Sequence, residues 1–222
     1  ILRVLKKNMV FGMTWGRAMH EFVEQLAKDE RLRSLSFQNV KVVPFLGTPG
    51  AIQSDSWNTT TYSNTLATKV GNLLHCASYN LSAPMYVEGT KEKELIESID
   101  EIAKVLHMAE TADIALIGIG SMQDDSSIIK AEIRTKEEYK ELVRKGAVGE
   151  IVGRIYDKNG QTVDEDLKRK MVGISLDKIA KIPVRVGMSY GKDKIEAIKG
   201  AIAGGLVNVL VTDVPTAELL LK

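Results

Sequence analysis

A single cysteine, Cys76, stands among the 222 residues. An internal disulfide is therefore excluded, and a zinc site built on thiolates would have too few ligands. The lack of a disulfide fits a reducing compartment, and the cytoplasm is the expected location. An excess of one charge is missing too: 30 Lys and Arg face 29 Asp and Glu, a formal net charge of +1. That balance speaks against a polybasic nucleic-acid module, an acidic tail or a disordered chain, while leaving room for a local basic pocket. No apolar run approaches the ~18 residues of a membrane span. The first residues, which carry Lys6 and Lys7, do not read as a signal peptide. P-loop, nucleophile-elbow and metal-ligand spacings are absent, and Gly118-Ile119-Gly120 lacks the third glycine of a dinucleotide fingerprint. No cofactor, no metal and no membrane contact are expected.

What is present is a soluble globular composition, with 44% hydrophobic and 27% charged residues. The length suits one α/β domain of up to ~250 residues, or two small ones. Strand and helix patterns alternate throughout. The apolar run 8–12 precedes a helical stripe of Met19, Phe22, Val23 and Leu26. The β-branched run 40–46 ends at Gly47, and a polar stretch fills 48–61. Leu66, Val70, Leu73 and Leu74 mark a second helix, 83–87 a short strand, and Ile99, Ile102, Ala103 and Leu106 a third helix. Residues 114–119 form the most apolar run, closed by Gly120, and read as a parallel strand buried on both faces. A charged helix is expected over 132–145. A strand over 153–156 should run into a tight turn at Asp157-Lys158-Asn159-Gly160, where Asn-Gly tolerates positive φ. The last third reads as strand 184–188, helix 192–203, strand 207–212 and helix 216–221. Strands separated by helices imply right-handed crossovers and a mostly parallel, Rossmann-like sheet with helices on both faces. The irregular stretch 130–173 predicts a small β-containing insertion. Cys76 and the three histidines, His20, His75 and His107, fall in helical stretches, and Cys76 reads as a core residue.

In such a sheet ligands bind outside the carboxyl ends of the strands, so the loops that follow strands are the places to look. Gly12-Met13-Thr14-Trp15-Gly16-Arg17 joins the first strand to its helix. Its glycines allow close backbone approach, the helix start suits an anion, and Thr14 adds a hydroxyl. The same residues would also serve as a plain turn with Trp15 packed in the core. Tyr190-Gly191-Lys192-Asp193-Lys194 sets two lysines at a helix start. Cations there oppose the macrodipole, a balance that an anionic ligand reverses; an exposed lysine pair is the alternative. After the buried strand, Asp124 and Asp125 could accept hydrogen bonds from sugar hydroxyls or cap a helix.

Four segments, in order, resemble the effector domain of SorC-type, DeoR-like bacterial transcriptional regulators. They are Gly12-Met13-Thr14-Trp15-Gly16, the run 113–120, the run 146–154 with the turn 157–160, and the run 191–213. Together they span nearly the whole chain. The resemblance implies a fold like that of sugar-phosphate isomerases and CoA transferases, with catalysis lost. It implies a phosphorylated-sugar effector, a dimer or tetramer, and operator DNA held by a winged helix-turn-helix expected upstream of Ile1. By the family pattern, Thr14 and Trp15 meet a phosphate or its neighbouring hydroxyls. Lys194 pairs with phosphate, helped by backbone N–H groups near Gly191. Glu150 accepts ring hydroxyls, Gly47 shapes a pocket wall, and Asn64 lies near the ligand. Three departures stand out. Trp15 replaces a second hydroxyl residue and Leu46 an arginine found in some members, which disfavours a bisphosphate. Tyr190 replaces a glycine common in the late loop. A sugar-phosphate isomerase or amino-sugar deaminase of similar architecture is the rival reading, with Asp124 or Glu150 as base; a structural domain with a vestigial pocket is the other.

Overall fold

The computed structural model describes residues 5–34, 37, 39–49 and 59–222. Most of the polar stretch expected after Gly47 lies outside them. In chain order the elements are β1 (Val10–Met13), α1 (Arg17–Ala27), β2 (Lys41–Pro44), α2 (Ser63–Leu74), β3 (Ala77–Ser78), α3 (Thr90–Glu97) and α4 (Asp100–Glu110). There follow β4 (Ile114–Gly118), β5 (Gly120–Ser121), α5 (Ser127–Lys130), α6 (Lys136–Arg144), β6 (Ala147–Ile151), β7 (Arg154–Asp157), α7 (Glu165–Lys170) and α8 (Leu176–Ile179). The chain ends with β8 (Val184–Met188), α9 (Ile195–Ala203), β9 (Val209–Val211) and α10 (Val214–Leu220).

Among the described residues six strands form one sheet in the order β3-β2-β1-β4-β8-β9, every pairing parallel. Parallel strands are roofed on both sides by their crossovers, so a central strand is apolar at every position rather than at alternate ones. β4 obeys this. Ile114 and Leu116 face α1 and α2, packing with Met19, Val23, Leu66 and Val70. Ala115 and Ile117 face the opposite layer with Ala109, Ala197 and Ile198. The mostly parallel α/β sheet with helices on both faces is therefore present as expected.

The insertion is a second, antiparallel sheet, β5-β6-β7. It leaves the main sheet directly after β4 and is fastened to α9 by the Tyr156 hydroxyl, which donates to the Ala197 carbonyl at 2.9 Å. Its helices carry strong start signals. Thr135 and Glu138 form a reciprocal capping box on α6, and Asp164 caps α7.

Several boundaries differ from the sequence reading. Residues 83–87 form no strand; Pro84 and Tyr86 make single bridges to Thr48 and Met171, and Ala83 and Val87 pack with Ile102 and Val172. The segment pairs through these isolated bridges, the Thr48 and Val172 amides donating to the Ala83 and Met85 carbonyls, while its apolar side chains pack beneath α4. The helix expected from 192 begins with a 3-10 turn over 192–194 before α9. Cys76 follows α2, whose last turn is closed by His75 in the left-handed region, so Cys76 and His75 both leave the helix. Burial pushes the Cys76 thiol up to about 11. The expected turn at 157–160 exists, with Gly160 N–H on the Asp157 carbonyl. The sharper β6–β7 turn, though, is Val152-Gly153, with φ of +55° and +68°. A β-branched residue in that region is strained, and no turn signal in the sequence marks it.

Candidate functional site

The chain leaves β1 toward β2 on one side and β4 toward β8 on the other. Neighbouring strands whose crossovers diverge leave a crevice at their carboxyl ends. A cavity of about 260 Å³ lies at this place, lined by the turn after β1, the segment after β4, Glu150 of the insertion and the turn after β8. That volume is near the lower limit for small-molecule sites, ~300–1,000 Å³.

The first wall is the β1–α1 turn. The Thr14 N–H donates to the Leu116 carbonyl at 3.0 Å, tying the turn to β4. Gly16, at φ +107°, holds a conformation that L-residues avoid, and its N–H donates to the Thr61 carbonyl. This swings Trp15 and Gly16 to the cavity and starts α1 there with no side-chain cap and no acidic residue in its first turn. The leading N–H groups of a helix have no intrahelical acceptors, so an uncapped start is a positive locus. Arg17 and Asp125 pair at 2.9 Å across the mouth.

The second wall follows β8. Ser189, buried, donates to the Ile119 carbonyl at 3.0 Å. Gly191, at φ +102°, turns the chain, and its N–H is fixed by the Thr216 hydroxyl of α10 at 2.8 Å. The turn delivers Lys194. Its Nζ donates to Ser121 Oγ at 2.8 Å and stands 3.4 Å from Asp193 Oδ2. Ser121 in turn donates to Asp193 at 3.2 Å.

Glu150 is the inner wall, only 6% exposed. One carboxylate oxygen accepts the Gly153 N–H at the strained hairpin turn, and the Trp15 indole also reaches the carboxyl. Burial raises Glu150 to about 7, against the opposing pull of these hydrogen bonds and of Lys194 and Arg154. Arg154 is buried too, and desolvation brings it down to about 10.

Of the residues singled out from sequence, Trp15, Gly16, Glu150, Tyr190 and Lys194 line this one cavity. Others do not. Gly12 lies under the Phe45 ring, Met13 is fully buried among the α1 and α2 side chains, and the Thr14 hydroxyl accepts the Gly118 N–H at 2.9 Å. Thr14 thus holds the ends of β1 and β4 together. Gly47 packs against the carbonyls of Ala83 and Pro84. Asn64 lies in a separate open groove, its amide donating to Thr48 and Leu81. Asp124 points outward, 3.8 Å from Lys136, and its neighbour Asp125 lines the cavity instead. Gly191 and Lys192 shape the turn without lining the cavity. Neither aspartate caps α5; Ser126 does.

Ser121, in the loop 118–125 that the sequence marks as a candidate, lines the cavity; Ser127 and Ser189 line it unannounced, because isolated serines carry no motif. Among the described residues no group of three or more His, Cys, Asp or Glu could hold a metal, and no helix is long and apolar enough to cross a membrane.

A family model for a sugar-binding domain matches residues 1–222. The sorbitol operon regulator of Klebsiella pneumoniae is 30% identical over 99% of this chain and 67% of its own length. The transcriptional regulator LsrR of Escherichia coli K12 is 32% identical over the whole chain and 65% of its own. The chain thus spans about two thirds of these relatives. Among solved structures, the full-length sorbitol operon regulator SorC of K. pneumoniae superposes with a TM-score of 0.87 at 29% identity, covering 99% of this chain and 68% of that one.

Proposed function

Since the chain belongs to the sugar-binding-domain family of SorC-type transcriptional regulators, we propose that it is the effector-binding and oligomerisation domain of a sugar-operon regulator, and that its effector is a phosphorylated sugar. The observation that carries this reading is the convergence of Lys194, the uncapped start of α1 and the buried Glu150 carboxyl on one cavity. A cation and free amides suit phosphate, and a carboxylate with serine hydroxyls suits sugar hydroxyls. Trp15 and the fully buried Leu46 stand where some family members carry a hydroxyl residue and an arginine, which favours a monophosphate. DNA contact is assigned to a winged helix-turn-helix outside these residues, and the compartment to the cytoplasm. Coupling follows from linkage: an effector shifts domain arrangement by its differential affinity for the two states, and ~1–3 kcal/mol changes operator affinity by ~5–150-fold.

A thermal-shift panel tests the ligand class. At 100 times its dissociation constant a ligand adds ~2.7 kcal/mol of apparent stability, so pentose and hexose monophosphates should raise Tm while their parent sugars do so far less. A flat response to every sugar phosphate rejects the reading. One feature favours the isomerase alternative: a carboxyl near neutrality beside a lysine is the equipment of general acid–base chemistry. Incubation with the best-binding sugar phosphate should return it unchanged; interconversion of ketose and aldose would reassign the chain as an enzyme.

Self-association has its own support. β9 is an edge strand without a charged residue, and Val209 and Val211, on the side away from α9, are 43% and 52% exposed. Val214 and Leu221 of the C-terminal segment are exposed as well. Uncharged apolar edges are usually covered. The expected result of Val211→Lys is a monomer in sedimentation velocity where the parent chain is a dimer or tetramer. A parent that is already monomeric at every concentration refutes the assignment.

A further inference from the structure

Glu150 is a buried carboxyl without an ion-pair partner among the described residues. The groups facing it come from five sides. Lys194 stands at the turn before α9 and donates to Ser121, with Asp193 alongside. Arg154, at the start of β7, donates instead to the carbonyls of Met171 and Gly173 at 3.2 and 3.1 Å. Tyr156 of β7 and Tyr139 of α6 are neutral, each held well above the ordinary tyrosine value by burial. Trp15 and the Gly153 amide supply the neutral donors. Lys194 and the buried Arg154 both favour the ionised form, and of the two it is Lys194 that lines the cavity and that an anionic effector would occupy.

Resting on the effector reading above, we propose that an anion seated on Lys194 is bound together with a proton at Glu150, so that effector affinity rises as pH falls. The physical cause is the removal of compensation. A phosphate dianion neutralises Lys194 and adds its own negative field to a carboxyl already short of solvent, and both changes favour the neutral acid. The bound complex then holds Glu150 protonated to a higher pH than the free protein, where burial places it at about 7. Above both values the carboxylate is ionised in either state, and below the free value it is neutral in either state. The part of the affinity linked to Glu150 changes only between them, rising as pH falls toward 7 by up to ~tenfold per pH unit, the limit for one proton. The neutral acid also acquires an O–H, turning the inner wall into a donor for a ligand carbonyl or ether oxygen.

Carbon-detected NMR of glutamate side-chain carboxyls in the 222-residue protein tests this, with Glu150→Gln assigning the resonance. Sulfate is the probe, because it stays dianionic across the range, and chloride of equal ionic strength is the control. Glu150 should titrate near neutrality in chloride, and its midpoint should rise by about half a unit or more in saturating sulfate. In Lys194→Met, sulfate should leave the midpoint where it is. If sulfate shifts the Lys194 and Tyr190 amides yet leaves the Glu150 midpoint unmoved, the proton coupling is overturned while the anion site stands. A carboxyl that is ionised throughout has the same consequence. If sulfate touches neither amide, the anion site falls and takes the coupling with it.

Discussion

Lys194→Met should weaken a phosphorylated sugar by about 10–150-fold and its unphosphorylated parent by no more than about threefold. A hydrogen bond to a charged group contributes ~1.5–3 kcal/mol, and each 1.4 kcal/mol is tenfold in affinity. The side chain is mostly covered, at 20% exposure, so the charge works in a less screened setting than a surface lysine. Methionine keeps the length and the apolar stem while deleting the cation, which separates charge from packing. The folded chain loses little: the 3.4 Å pair with half-exposed Asp193 is of the kind that contributes ~0–1 kcal/mol. Isothermal titration with the sugar phosphate that gives the largest thermal shift, and with its parent sugar, supplies the comparison. Equal losses for both would mean that Lys194 recognises the sugar ring or merely props Ser121, and the phosphate would then belong elsewhere.

Lys194 is legible in the sequence for a local reason. A glycine after a β-branched run, then lysines in a first helical turn, is an electrostatically odd arrangement that asks for an anion. Trp15 and Gly16 were legible for the same reason: glycine spacing after a strand marks a turn at the carboxyl edge of the sheet. β4 was legible because a doubly roofed strand is apolar at every position, and the last third because short β-branched runs alternate there with helical spacing. Sequence patterns fail where the deciding partner is distant. The Thr14 hydroxyl looks like a ligand group until β4 brings the Gly118 N–H to it. Asn64 looks available until Thr48 and Leu81 claim its amide. The Val152-Gly153 turn was invisible because valine is a poor turn residue, and the turn persists through the Glu150 carboxylate accepting the Gly153 N–H. Residues 83–87 are an intermediate case: the segment reads as a strand and does hydrogen-bond to Thr48, Lys170 and Val172, but as isolated bridges, with its apolar side chains packed beneath α4.

The same dependence on distant partners makes Asp164→Leu the substitution with the largest expected cost to stability. Asp164 has two duties. One oxygen caps α7 through the Leu167 N–H at 2.9 Å, and both oxygens bind Arg134, at 2.9 Å to Nε and 3.1 Å to Nη2. The pair is buried, with 9% and 7% side-chain exposure. Removing one partner of such a pair strands a desolvated charge and costs ~3–5 kcal/mol, to which a lost cap adds ~1. Asp166, half exposed at 2.9 Å from Arg134, recovers only part of this. For a chain of this size ~1 kcal/mol corresponds to ~2–4 °C, so Tm should fall by roughly 8–20 °C in a calorimetric scan. Replacing both partners, Arg134→Met with Asp164→Leu, should cost less than Asp164→Leu alone, because no buried charge is then left uncompensated. A double variant as unstable as the sum of the singles would contradict the ion-pair account and leave helix capping as the whole effect. The loss reaches the cavity as well. Arg134 and Asp164 clamp α7 and the start of α6 onto the insertion that carries Glu150, so a loosened clamp should weaken effector binding below the new Tm while leaving the Lys194 turn, held separately by Thr216, in place.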